Sequence, residues 1–116
     1  MAKRIDLDYT NDENLFDATA KEWASEIEKT KKTQARGFYE KVLELESRAK
    51  KEEWIDVLPF VKMLNSKVSY ALNRKVVSRE FSDMMSQCIS QVKTKEDLTK
   101  FKLFFEAVLG FFKGSN

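Results

Sequence analysis

Lys67, Tyr70 and Arg74 follow one another at spacings of three and four residues, and Met63 stands one turn before them. On a helix of about 3.6 residues per turn they form one stripe of apolar, cationic, aromatic and cationic side chains. A second run, Gln34, Gly37, Lys41 and Arg48, also lies along one helix face and carries two cations beside a glycine. Cations a turn apart suit non-covalent recognition of a polyanion: charge holds phosphate, and an interleaved ring offers a planar face. A solvated helix face has the same pattern, so spacing alone leaves both uses open.

Covalent chemistry finds little support. The chain has no histidine, the commonest general base and neutral metal ligand. Its one cysteine, Cys88, cannot form an internal disulfide or a structural zinc site, and it falls on an apolar helix face as a small buried hydrophobe. No phosphate-binding glycine loop, dinucleotide motif or nucleophile elbow occurs. The carboxylates lie on charged faces among lysines. We expect no catalytic residue, no metal site, no cofactor and no small-molecule substrate.

The positioning elements read as helices throughout. Three glycines and one proline among 116 residues leave little material for tight turns. Thr10 to Glu13 has capping-box spacing, and Phe16, Ala20, Trp23 and Ile27 follow as a seam, which predicts a helix over about 12–28. Thr33 is read as the cap of a second helix with Ala35, Phe38, Val42, Leu45 and Ala49 inward. Pro59 is read as the opening of a third, because a missing N–H is harmless at the first helical position. Val57, Val61, Leu64, Val68 and Ala71 are its core face, and Tyr70 a packing residue with its hydroxyl at the edge. Residues 50–56 form a short helix or turn that docks Trp54. Ser78 caps a fourth helix with Phe81, Met84, Met85, Cys88, Ile89 and Val92 inward. Thr94 to Asp97 caps a fifth with Leu98, Phe101, Phe105, Val108 and Phe112 in its seam. Phe104, Leu109 and Phe111 widen that last face beyond what two layers need, so they are the expected interface for self-association.

The fold class is therefore all-α, a small helical bundle of about five helices. A single domain is expected over residues 1–116, with 1–10 a loose N-terminal arm that alternates weakly between apolar and charged side chains. The deepest positions should be Trp23, Phe38, Val42, Leu64, Val68, Phe81, Cys88, Phe101 and Phe105. No stretch approaches the ~20 apolar residues of a membrane span, and the first residues lack an apolar signal core, so a cytoplasmic, membrane-free protein is expected.

Net charge is only +2, but it is unevenly distributed. Residues 1–58 hold 11 basic and 14 acidic side chains, whereas 59–116 hold 10 and 5. Residues 29–51 reverse the acidic start, with 8 basic against 3 acidic. Such segregation can build a basic surface on a nearly neutral protein, although blocks that neutralise one another in the fold have the same composition.

Three stretches together resemble a known family. Thr33-Gln-Ala-Arg-Gly-Phe-Tyr39 is similar to a helix-opening motif of hydroxyl, polar, apolar, arginine and aromatic pair. Leu58-Pro59 through Met63-Leu64, Lys67, Tyr70-Ala71 and Arg74 is similar to its central block, and Phe104-Phe-Glu-Ala-Val108 to its C-terminal block. In this order, over about 33–113, they resemble the small subunit of the type III-A CRISPR–Cas effector, the Csm complex. Gly37 departs from the pattern, which has a basic residue there.

The resemblance implies a non-catalytic helical bundle stacked in several copies beside the subunits that carry the guide RNA. Its basic surface would line the channel where single-stranded target RNA pairs with guide. Arg36, Lys41, Arg48, Lys67, Arg74 and Arg79 are the RNA-binding residues so expected, contacting backbone while base pairing supplies sequence. The partners are target RNA, guide RNA, the other effector subunits and further copies of the chain. The alternative is a helical protein–protein adaptor that uses its aromatic C-terminal helix and makes no nucleic-acid contact.

Overall fold

The apolar seams fold into five helices in the computed structural model, which describes residues 2–116. They are α1 (Ala18–Glu26), α2 (Lys32–Ala49), α3 (Trp54–Asn73), α4 (Arg79–Ser90) and α5 (Lys95–Phe111). No strand is present among the described residues, and the only bridge there is an isolated one between Lys31 and Ser115. The molecule is a slab of 37 × 34 × 19 Å, two helix layers thick. All nine positions expected to be deepest are buried, from Phe81, Cys88, Phe101 and Phe105 at 0% exposure to Phe38 at 5%.

The core is centred on aromatic rings from three helices. Phe81 of α4 meets Phe38 of α2 at 5.6 Å between ring centroids and Phe105 of α5 at 6.1 Å. Tyr39 sets its edge against Phe105, and its hydroxyl donates to Glu106. The two local caps on α4 and α5 form as their sequences predict. Phe81 N donates to Ser78 Oγ at 3.1 Å, and Thr94 and Asp97 exchange both bonds of a capping box.

Elsewhere tertiary partners displace local ones. Thr10 does not cap a helix, because its amide and hydroxyl both bind Asp8 Oδ1. Residues 9–17 run as successive turns and α1 starts at Ala18, which leaves Phe16 36% exposed and buries Leu15 in its place. Asp12, a buried carboxylate, organises this entry by accepting from Asn14 N at 3.0 Å and Thr19 Oγ1 at 2.8 Å, with Lys3 Nζ at 3.5 Å. Thr33 is no cap either. α2 begins two residues earlier, with Lys31 in the cap position, and the C-terminal tail serves its first turn: Lys32 N donates to Ser115 O at 2.8 Å.

The third helix does not open at Pro59. It begins at Trp54 and passes through the proline, so residues 54–56 join it and Trp54 Nε1 donates to Lys93 O at 2.9 Å. Proline there removes the bond to the carbonyl of Ile55, which lies on the solvent side where water can replace it. α3 ends in a Schellman arrangement, with Val76 N on Ala71 O and Lys75 N on Leu72 O. Lys75 takes the left-handed position, φ +62°, that glycine usually fills.

The expected loose arm is bound to the bundle. Ile5 and Leu7 are 2% exposed, and their amides donate to Gln87 Oε1 and Gln91 Oε1 at 2.8 and 2.9 Å. Gln91 Nε2 returns a bond to Ile5 O, and Trp23 Nε1 donates to Lys3 O. The spacings match: two residues of extended chain advance about 6.6 Å and one helical turn plus a fraction, four residues, about 6 Å. Met1 lies outside the described residues.

Candidate nucleic-acid interface

Residues 50–53 reverse the chain between α2 and α3, and the two helices lie side by side as a hairpin. Their buried faces, Leu45 and Leu64 among them, fill the contact and leave a groove of about 210 Å3 along its outer edge. Lys41 and Arg48 line it from α2, and Phe60, Met63 and Lys67 from α3, with Glu44 the one acid on its wall. Cations from two stripes far apart in sequence thus share one groove because the hairpin lays their helices together.

The three cations differ in how free they are. Arg48 is held by Glu52, Nε on Oε2 at 2.8 Å and Nη2 on Oε1 at 3.0 Å, and its guanidinium lies over the Phe60 ring at 5.0 Å. The bond to Glu52 raises the pKa of Arg48 and lowers that of the carboxyl, so both stay charged. Lys41 and Lys67 are exposed and make no ion pair among the described residues, so their charge is available to a ligand.

Arg74 ends α3 with its guanidinium over the Tyr70 ring at 5.6 Å, continuing the stripe past the groove. Tyr70 is not a packing residue: it is 65% exposed. Arg36 is exposed on α2 and does not line the groove. Arg79 lines a different depression, with Glu26, Glu80 and Asp83 around it, and is not brought to the other cations. Phe60 is the groove residue that the apolar spacing missed. It lies outside the core seam, and the signal available was the tryptophan-led start of α3, which makes residues 57–64 a continuous helical surface.

The expected interface on α5 is changed. Phe104 is 0% exposed and belongs to the core, because α5 packs against both α1 and α2 and so has no idle side at that position. Leu109 is half-buried and Phe111 is 39% exposed, so these two remain at the surface.

Cys88 is fully buried, and burial pushes its thiol pKa up, away from thiolate chemistry. Among the described residues no three potential metal ligands converge, and no helix is long and apolar enough to cross a membrane. The groove thus sets three cations beside one exposed aromatic ring.

Compared with known families, residues 10–116 match the model described as Csm2 Type III-A. Neither the curated proteins nor the solved structures compared with the chain gave a match.

Proposed function

The chain belongs to the Csm2 type III-A family, the small subunits of the type III-A CRISPR effector, and on that premise we propose that its α2–α3 groove holds the backbone of target RNA. The observation that carries this is the meeting of Lys41 and Arg48 from one helix with Lys67 from the next, two of the three without a counter-ion among the described residues. Exposed lysines on flexible stems follow a phosphate chain without reading bases, which suits a component that must accept every target while the guide supplies sequence. Arg74 extends the track beyond the groove. Arg36 joins it if the strand continues along α2, and Arg79 is the weakest member because three carboxylates surround it.

In this role the subunit is non-catalytic and works in the cytoplasm beside the guide-bearing subunits. Several copies lie in a row, so that each contributes one short basic segment to a longer channel. Cleavage falls to other components of the effector.

The test is charge reversal in the assembled complex. Lys41→Glu with Lys67→Glu should weaken target RNA binding by a similar factor for unrelated targets. Each lost phosphate contact should flatten the dependence of log affinity on log salt by about 0.7–0.9. Lys93→Glu with Lys95→Glu, exposed where the chain enters α5 and outside the groove, is the matched control. If the groove pair binds like wild type at every salt concentration, these lysines are a solvated face. The protein-only adaptor then takes precedence.

A further inference from the structure

Phe60 is a large aromatic ring left 45% exposed on the wall of the cationic groove, and Met63 beside it is 47% exposed. Single exposed apolar side chains are ordinary, and Ile55, at 79%, stands outside the groove as one of them. Phe60 differs in its surroundings. The Arg48 guanidinium lies over its ring at 5.0 Å, and Glu52 clamps that guanidinium through two hydrogen bonds. The clamp occupies Nε and one hydrogen of Nη2 and leaves the other edge of the guanidinium with unused donors. A planar cation and a planar ring are thus held against each other at the side of a groove that carries Lys41 and Lys67. The space beside them, about 210 Å3, is below the roughly 300–1,000 Å3 of pockets that enclose a whole small-molecule ligand. It suits one planar group entering from a chain that runs outside.

We propose that Phe60 and Arg48 form a stacking platform for one unpaired nucleobase of the RNA strand whose phosphates lie on Lys41 and Lys67. This rests on the RNA-backbone function above and adds to it the class of nucleotide recognised, one whose base is free of a Watson–Crick partner. A paired base has both faces covered by its neighbours in the duplex. An unpaired one can turn outward and stack on a ring, and such stacking tolerates any base because every base has a π face. Glu52 is a positioning residue, because it fixes the plane of Arg48 and touches no ligand itself.

The experiment uses the assembled complex and target RNA carrying 5-bromouridine at successive positions. Irradiation should join one position to the peptide containing Phe60. In parallel, Phe60→Leu keeps an apolar side chain at an exposed site and should fold normally. It should weaken target binding by roughly five- to a hundred-fold, the range seen when a stacked ring is lost, with an unchanged salt slope because no charge is removed. Phe60→Tyr keeps the ring and should restore binding. The platform is overturned if Phe60→Leu binds like wild type at all salt concentrations, or if no bromouridine joins that peptide. It is also overturned if Phe60→Leu lowers the number of copies in the complex without changing RNA affinity per copy, since the ring would then face protein. Charge reversals that weaken binding while Phe60→Leu is silent leave the backbone contact standing and remove the platform alone.

Discussion

At the scale of single residues, one buried carboxylate ties the N-terminal segment to the first turns of α1. Asp12 is buried among Thr19, Asn14 and Lys3. Burial pushes its carboxyl pKa up, but the Thr19 hydroxyl, the Asn14 amide and Lys3 outweigh that and hold it below the usual carboxylate range. A folded pKa below the unfolded value of about 3.9 means that this stabilisation is complete above that pH. It is lost as pH falls through the lower folded value. Asp12→Ala removes the acceptor and strands the Thr19 hydroxyl, which should cost about 2–3 kcal/mol at neutral pH. Urea midpoints between about pH 2 and 7 check both statements: the variant should start lower and lose less in acid. An unchanged midpoint at neutral pH would show that Thr19 and Asn14 find other partners. Asp12 was hidden in the sequence because a carboxylate among seven others near the N-terminus gives no sign of which one the chain wraps around.

At the scale of elements, α3 shows how packing overrides a local rule. A proline ordinarily marks where a helix starts, and Pro59 was legible that way. Trp54 moves the start five residues earlier, since its indole bond to Lys93 O anchors the preceding turn to the α4–α5 connection. The missing bond at Ile55 falls on the exposed side, where its cost is lowest. Pro59→Ala should restore that bond and raise stability by about 1–2 kcal/mol, after allowing for the greater freedom of the unfolded chain. A thermal midpoint that falls instead would mean that the proline fits the curvature of α3 better than alanine does. Stability and function separate here, because the substitution leaves the groove side chains on α2 and α3 in place.

At the scale of the whole molecule, the slab divides its surfaces by sign. The α2–α3 edge is cationic, while the depressions around Glu26, Glu28, Glu80 and Asp83 are predominantly acidic. With Phe104 inside the core, the expected self-association through α5 would have to rest on Leu109 and Phe111 at its C-terminal end. Phe111 lines a small depression with Lys21, Glu28 and Lys113, so a second copy would meet a ring framed by charge. Leu109→Glu with Phe111→Glu should shift sedimentation of the isolated protein toward monomer while its circular dichroism stays helical. A wild-type protein that is monomeric at every concentration tested would confine any copy-to-copy contact to the assembled effector.

The all-α class, the five-helix count and the core seams of α2, α3 and α4 were legible in the amino-acid sequence, because helical periodicity needs only near neighbours. The Ser78 and Thr94 caps were legible for the same reason, their donors and acceptors lying three residues apart. Lys41, Arg48 and Lys67 could be named as candidates from their stripes. That they share one groove, while Arg79 sits among carboxylates, followed only from the hairpin that joins α2 to α3 and the separate placement of α4. The N-terminal strap, the start of α2 and the fate of Phe104 depend on partners tens of residues away: Gln87 and Gln91, Ser115, and the helices around α5. Local pattern carries the element, but which side of an element is left uncovered depends on what the rest of the chain packs against it.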